Sequence, residues 1–148
     1  MPVVMGSVQQ AQEDEYNGLV MPETSVIKSV AVLAKGSTDM DFKYKLEASL
    51  KPIFQSYNAK TMDYIRRHPD VELSLFLLHG VANSIPADSA KALYDALSPG
   101  LKGMIQSEEI ERTIALRLKT STGKPAPIFT ATDINGKPLC IGDFKGKY

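Results

Sequence analysis

The sequence predicts a mostly α chain, a bundle of five or six helices followed by a carboxy-terminal β-hairpin. Three observations predict it. Apolar residues recur at three- and four-residue spacing through most of residues 7–119, the period of helices that each bury one face. After Lys119 the stretch Thr120 to Pro127 (TSTGKPAP) gathers Gly, Pro, Ser and Thr, the composition of a linker. Beyond it, Asn135-Gly136 separates two short β-prone runs, Ile128 to Thr132 and Leu139 to Ile141. Asn-Gly between such runs is the strongest short-range hairpin signal, because both residues tolerate positive φ. The chain is therefore divided into a helical region (1–119), a linker (120–127) and the start of a second unit (128–148). Its 148 residues suit one domain or a domain with part of another, and 43% hydrophobic content is enough for a core.

The helices follow in order. Val26, Ile27, Val30, Ala31 and Ala34 share one helical face, which Thr24 or Ser25 can cap. Leu46, Leu50, Ile53, Phe54, Tyr57, Thr61, Tyr64 and Ile65 form a longer stripe. Pro52 interrupts it and predicts a kink or restart near Ser49 to Pro52, with a kink favoured because the stripe stays in phase. His68-Pro69 closes that helix, since a residue before proline avoids the α region. Asp70 is the expected N-cap of the next, with Glu72 in its first turn. Val71, Leu73, Leu75, Phe76, Leu77, Leu78 and Val81 make this segment apolar nearly all round, which places it mid-bundle. Asp88 is the expected cap for the face Ala90, Leu93, Tyr94 and Leu97, which ends at Ser98-Pro99-Gly100. Ser107, Glu108 and Glu109 open a last helix reaching about Lys119, with Ile110, Ile114 and Leu118 on one side. In the hairpin, Pro138 cannot donate to a ladder and so belongs at a sheet edge. A lone two-stranded ribbon is marginal in water and needs a sheet to join. The chain is therefore expected to stop in mid-structure, and its hairpin edge to favour self-association.

Composition narrows function. Lys plus Arg equals Asp plus Glu at 17 each, so no basic footprint points to nucleic acid or an anionic membrane. No apolar run approaches the ~20 residues of a membrane span, and Met1 to Gln10 lacks the basic and apolar regions of a signal peptide. The single cysteine, Cys140, forbids an intrachain disulfide.

The segment Gly123 to Tyr148 (GKPAPIFTATDINGKPLCIGDFKGKY) carries Gly123, Ala126, Pro127, Phe129, Asp133, Gly136, Lys137, Asp143, Phe144, Lys145, Gly146 and Lys147 in order. In that pattern it resembles the opening of the redoxin domain in TlpA/ResA-like thiol–disulfide oxidoreductases of the thioredoxin and AhpC/TSA superfamily. Upstream, RRHPDVELSLFLL (Arg66 to Leu78) and ALYDALSPGLKG (Ala92 to Gly103) resemble the helical segment before the redoxin domain in Bacteroidetes-type members. The resemblance covers roughly residues 60–148 and implies a helical accessory region leading into an incomplete thioredoxin-like fold. It also implies disulfide-containing protein partners and a periplasmic or cell-envelope location. The family's Trp-Cys-x-x-Cys motif is not in this chain, so none of its active-site residues maps here and the chain is expected to be inactive. The alternative is a self-contained helical interaction module without enzymatic activity.

No residue is assigned a catalytic, cofactor-binding or metal-ligating role. Cys140 reads as a small, half-buried strand residue, in a predicted edge strand without the helix terminus or cation that activates a thiol. His68 suits a helix C-terminus, as do Arg66 and Arg67. His79 reads as a hydrogen-bonded core or boundary histidine, and the spacing of the two histidines does not suit zinc. Glu108, Glu109 and Glu111 read as a solvated helix start. Gly100 and Gly103 bracket a helix connection and lack the context of a phosphate loop.

Overall fold

Seven helical segments and one hairpin make up the computed structural model, which describes residues 7–121, 123–125, 130–140 and 142. In chain order these are α1 (Val8–Gly36), α2 (Met40–Ser49), α3 (Lys51–Arg67), α4 (Glu72–Val81), α5 (Ala87–Ala96), the single turn α6 (Pro99–Lys102), α7 (Ile105–Lys119), β1 (Thr130–Thr132) and β2 (Pro138–Cys140).

α1 begins far upstream of the expected caps. Ser7 is the N-cap, its hydroxyl accepting from the Gln10 amide at 3.2 Å. Thr24 and Ser25 therefore lie inside the helix, where the Thr24 hydroxyl donates back to the Met21 carbonyl at 3.1 Å. Pro22 also lies inside. It has no N–H to offer the Gly18 carbonyl four residues earlier, so the ladder has a gap there.

The stripe expected to run as one kinked helix is two helices. Leu50 separates α2 from α3 while keeping α-region angles (φ −78°, ψ −14°), and Pro52 stands in the first turn of α3, where its missing N–H costs nothing. The restart rather than the kink is realised. Leu50, Thr61, Tyr64 and Ile65 are buried as the stripe requires, but Phe54 is 45% exposed. α3 ends at Arg67 before His68-Pro69.

α4 starts at Glu72 with Val71 as N-cap, so Asp70 lies one residue too early to cap it. The Ser74 hydroxyl instead ties the corner together by donating to the His68 carbonyl at 2.6 Å. Likewise Asp88 is in the first turn of α5, whose N-cap is Pro86. There its carboxylate meets the positive end of the helix dipole. α4 lies among α1, α3, α5 and α7, as a segment of its composition must. One of its apolar residues nevertheless faces out, Phe76 at 47% exposure.

The main core joins Ile65, Leu75, Leu78, Val81 and Ile85 to Ala90, Leu93, Leu97, Leu101, Ile110 and Ile114. A smaller cluster of Tyr16, Val20 and Tyr64 attaches the first half of α1. Tyr57 and Leu77 pack against both clusters. The Arg117 guanidinium adds a tie by donating to the Ala82 carbonyl.

In the linker, Lys124 donates to the Ser121 carbonyl at 3.1 Å and Gly123 takes φ +85°. The hairpin pairs Thr130 with Cys140, Ala131 with Leu139 and Thr132 with Pro138. Its turn differs from the expected pair of positive-φ residues: Gly136 alone adopts one (φ +79°), and no described non-glycine residue does. Gly136 donates to the Asp133 carbonyl at 3.0 Å and Asp133 to the Lys137 carbonyl at 2.8 Å. A three-residue loop ending in a left-handed glycine results, held by the Asp133 carboxylate accepting from the Asn135 and Lys137 amides, each at 2.8 Å. Every residue of β1 is exposed. Ile128 and Ile141, expected at the outer ends of the strands, lie outside the described residues.

Candidate functional site

Where α1 meets α3, a polar seam runs through apolar surroundings. Glu23, on the inner face of α1, is buried and accepts from the Lys60 ammonium at 2.9 Å and from the Ser56 hydroxyl at 2.7 Å. Lys60 donates also to the Leu19 carbonyl at 3.0 Å. The bond from Lys60, with help from Ser56, lowers the Glu23 pKa to about 2. Two turns earlier, Tyr16 lies 2.9 Å from the Thr61 hydroxyl and donates to the Tyr57 hydroxyl at 3.0 Å. Its ring meets Tyr64 edge-on at 5.2 Å between centroids. Burial pushes the Tyr16 phenol well above its ordinary range, and the Tyr64 phenol in the same direction. Both stay neutral donors and do not supply a base. The seam is a structural lock between helices, since each strong polar group in it is already satisfied by a neighbour.

A second polar contact holds α5 to α7. Tyr94 and Ser107 share a buried hydroxyl–hydroxyl bond of 2.8 Å, and Tyr94 reaches Glu111 at 3.4 Å.

The concave feature best placed to receive another molecule lies between α3 and α4. It is a groove of about 260 Å³ lined by Phe54, Tyr57, Asn58, Phe76, Leu77, Gly80, Val81 and Ser84. Exposed Phe54 and Phe76 stand on its two helices, and Gly80 leaves its wall open, with no atom within 4 Å of where a Cβ would be. Asn58 donates to the Ser84 carbonyl at 3.5 Å. Toward α2 the surface turns polar at Glu47, Lys51 and Gln55. Apolar walls with a polar rim suit an apolar side chain of a protein partner, and the groove has no nucleophile–base pair.

The residues weighed from sequence do not converge on this groove. His68 ends α3, where its ring stacks on Tyr64 at 4.4 Å and Nε2 approaches Glu15 at 3.4 Å without hydrogen-bond geometry. Arg67 reaches the same Glu15 at 3.6 Å and Asp63 at 3.2 Å, and Arg66 is exposed. His79 is exposed rather than in the core, 3.4 Å from Glu109 of α7. Glu108 and Glu111 are exposed on α7. Gly100 lies within α6 and Gly103 ends it. Cys140 is half-buried in β2, opposite Thr130. Among the described residues no three His, Cys, Asp or Glu side chains gather as metal ligands, and no helix is long and apolar enough to cross a membrane.

Sequence reasoning missed Tyr16, Glu23, Lys60 and Ser107. The signal for Glu23 was present: it falls on the stripe Tyr16, Val20, Glu23, Ile27, at the helical spacing of a buried face. A scan against protein-family models, a search of curated proteins and a search of solved structures each found no match.

Proposed function

We propose that this chain is the helical accessory region and opening strands of a TlpA/ResA-like thiol–disulfide oxidoreductase. On this reading it positions the redoxin unit and does not itself carry out exchange. The observation that carries it is the hairpin: two three-residue strands pair with each other, and every residue of the first is exposed. Such a ribbon is marginal by itself and gains stability by extending into a sheet. Its outer edges can equally pair with another copy. The Asp133-to-Lys137 turn lies in the segment that resembles the redoxin opening. Thiol–disulfide exchange of the two-cysteine kind needs a resolving thiol beside the attacking one, and this sequence has one cysteine. The periplasm or cell envelope is the compartment the resemblance suggests, with disulfide-containing proteins as substrates of the complete enzyme.

Two measurements test the reading. An insulin-reduction assay on this chain should give no turnover, and turnover would defeat the non-catalytic role. Sequencing the transcript past the Tyr148 codon should reveal an apolar strand followed by Trp-Cys-x-x-Cys, and a stop codon there would defeat the redoxin assignment.

The second reading, a helical interaction module, is favoured by the groove between Phe54 and Phe76. It would bind an apolar segment of a protein partner by the helix-in-groove mode.

A further inference from the structure

α1 is weakened and bridged at the same place. Gly18 and Pro22, of the two poorest helix-forming residue types, stand one turn apart in it. Pro22 has no N–H for the Gly18 carbonyl, and breaks of this kind are where long helices bend. The Lys60 ammonium of α3 spans the break. It donates to the Leu19 carbonyl ahead of Pro22 at 3.0 Å and to the Glu23 carboxylate after it at 2.9 Å. Ser56 donates to the same carboxylate at 2.7 Å. Burial changes here too. Tyr16, Val20 and Glu23 are buried, whereas Ile27, Val30 and Ala34, further along the same stripe, are half-buried. The chain returns through α2, in which no residue is buried, to Leu50 and Pro52, where the helix is interrupted a second time. Residues 24–49 thus form an arm joined to the bundle through two breaks.

We propose that Pro22 is the hinge of this arm and that Lys60 is its latch. One ammonium bonded on both sides of the gap supplies what the missing backbone N–H cannot: it fixes the angle between the two halves of α1. Ser56 and Lys60 are one turn apart on α3, so both reach the root of the arm from one helix face. Glu23 is buried, so its bond to Lys60 is screened far less than an exposed pair such as Lys45–Asp41. Beyond the latch nothing polar ties the arm to the bundle. Among the described residues, the side chains of residues 25–49 make hydrogen bonds and ion pairs only within the arm. α2 brings Glu47 to the polar rim of the groove between α3 and α4, so a swing of the arm displaces that carboxylate. This proposal is independent of both readings of function.

Electron–electron double resonance on the full chain tests it, with Cys140→Ser so that spin labels attach only where placed. Thr38→Cys at the tip of the arm and Ala92→Cys on α5 report the arm. Asn17→Cys with Ala92→Cys reports the first half of α1. All three labelled positions are exposed. Lys60→Met should broaden the distribution of arm distances and leave that of the Asn17 pair as narrow as in the wild type. Adding Pro22→Ala, which restores a donor for the Gly18 carbonyl, should narrow the arm distribution again. Glu23→Gln weakens the same bond without stranding a buried carboxylate. It should broaden the arm distribution to a lesser extent, and it replaces Lys60→Met if that variant loses its helical circular dichroism. Three results overturn the proposal. One is an arm distribution that neither Lys60→Met nor Glu23→Gln changes. Another is equal broadening of both pairs, which would mean that α1 leaves α3 as one rod. The third is a broadening that Pro22→Ala does not reverse, which would put the bend elsewhere.

Discussion

Glu23 is the only charged side chain among the described residues that is buried, and its behaviour with pH follows from its neighbours. Its carboxyl titrates at about 2 in the folded chain, against 4.5 ordinarily. A carboxyl depressed on folding stabilises fully above the ordinary value and loses that contribution as pH falls toward the depressed one. Wild-type stability should therefore decline between pH 4.5 and about 2, and Glu23→Gln should flatten that decline while lowering stability at neutral pH. Urea midpoints measured across this window check both halves. Tyr94→Phe is a second case, because it takes the phenol from a buried partnership with Ser107. It should cost about 1–3 kcal/mol, the usual penalty for stranding a buried polar group, as read by chemical denaturation. Neither residue stood out from composition. Tyr94 was legible as core, but its partner Ser107 read as a helix opener because a serine beside two glutamates fits a first turn equally well.

α4 separates what periodicity reveals from what it does not. Its central place in the bundle was legible from seven apolar residues in eleven positions. Which of them faces out was not, because an almost uniformly apolar helix has no polar side to orient it. Leu75→Ala or Leu78→Ala should cost about 2–5 kcal/mol, as cavity-forming changes at fully buried leucines do. Phe76→Ser should change the unfolding free energy by only about 0.5 kcal/mol, in keeping with a surface position. The caps expected at Thr24 or Ser25, at Asp70 and at Asp88 failed for one shared reason: a polar residue near a helix start can stand before, at or inside the first turn, and tertiary contacts decide which. Ser7 wins for α1 because Tyr16 and Val20 pull the helix onto α3 well ahead of Thr24. The hairpin was legible in its pairing but not in its turn, where the Asp133 carboxylate favours a three-residue loop. Gly136→Ala should cost about 1–2 kcal/mol for holding a side chain in the left-handed region. Loss of cross-strand NMR contacts, with helical circular dichroism unchanged, would register it.

Across the whole molecule, burial falls away from α4, α5 and α7 toward the second half of α1 and all of α2. Amide exchange should follow that gradient, slowest around Leu75, Leu93 and Ile110 and fastest in α2 and in residues 27–36 of α1. Equal protection throughout would contradict it. Tyr57 and Leu77 stand between the two apolar clusters and touch both. That dual membership makes them the coupling on which all-or-none melting depends. With both trimmed to alanine, the front of α1 has little left to tell it that the distant helices are still intact. A calorimeter should then record two separate heat-absorption peaks in place of one.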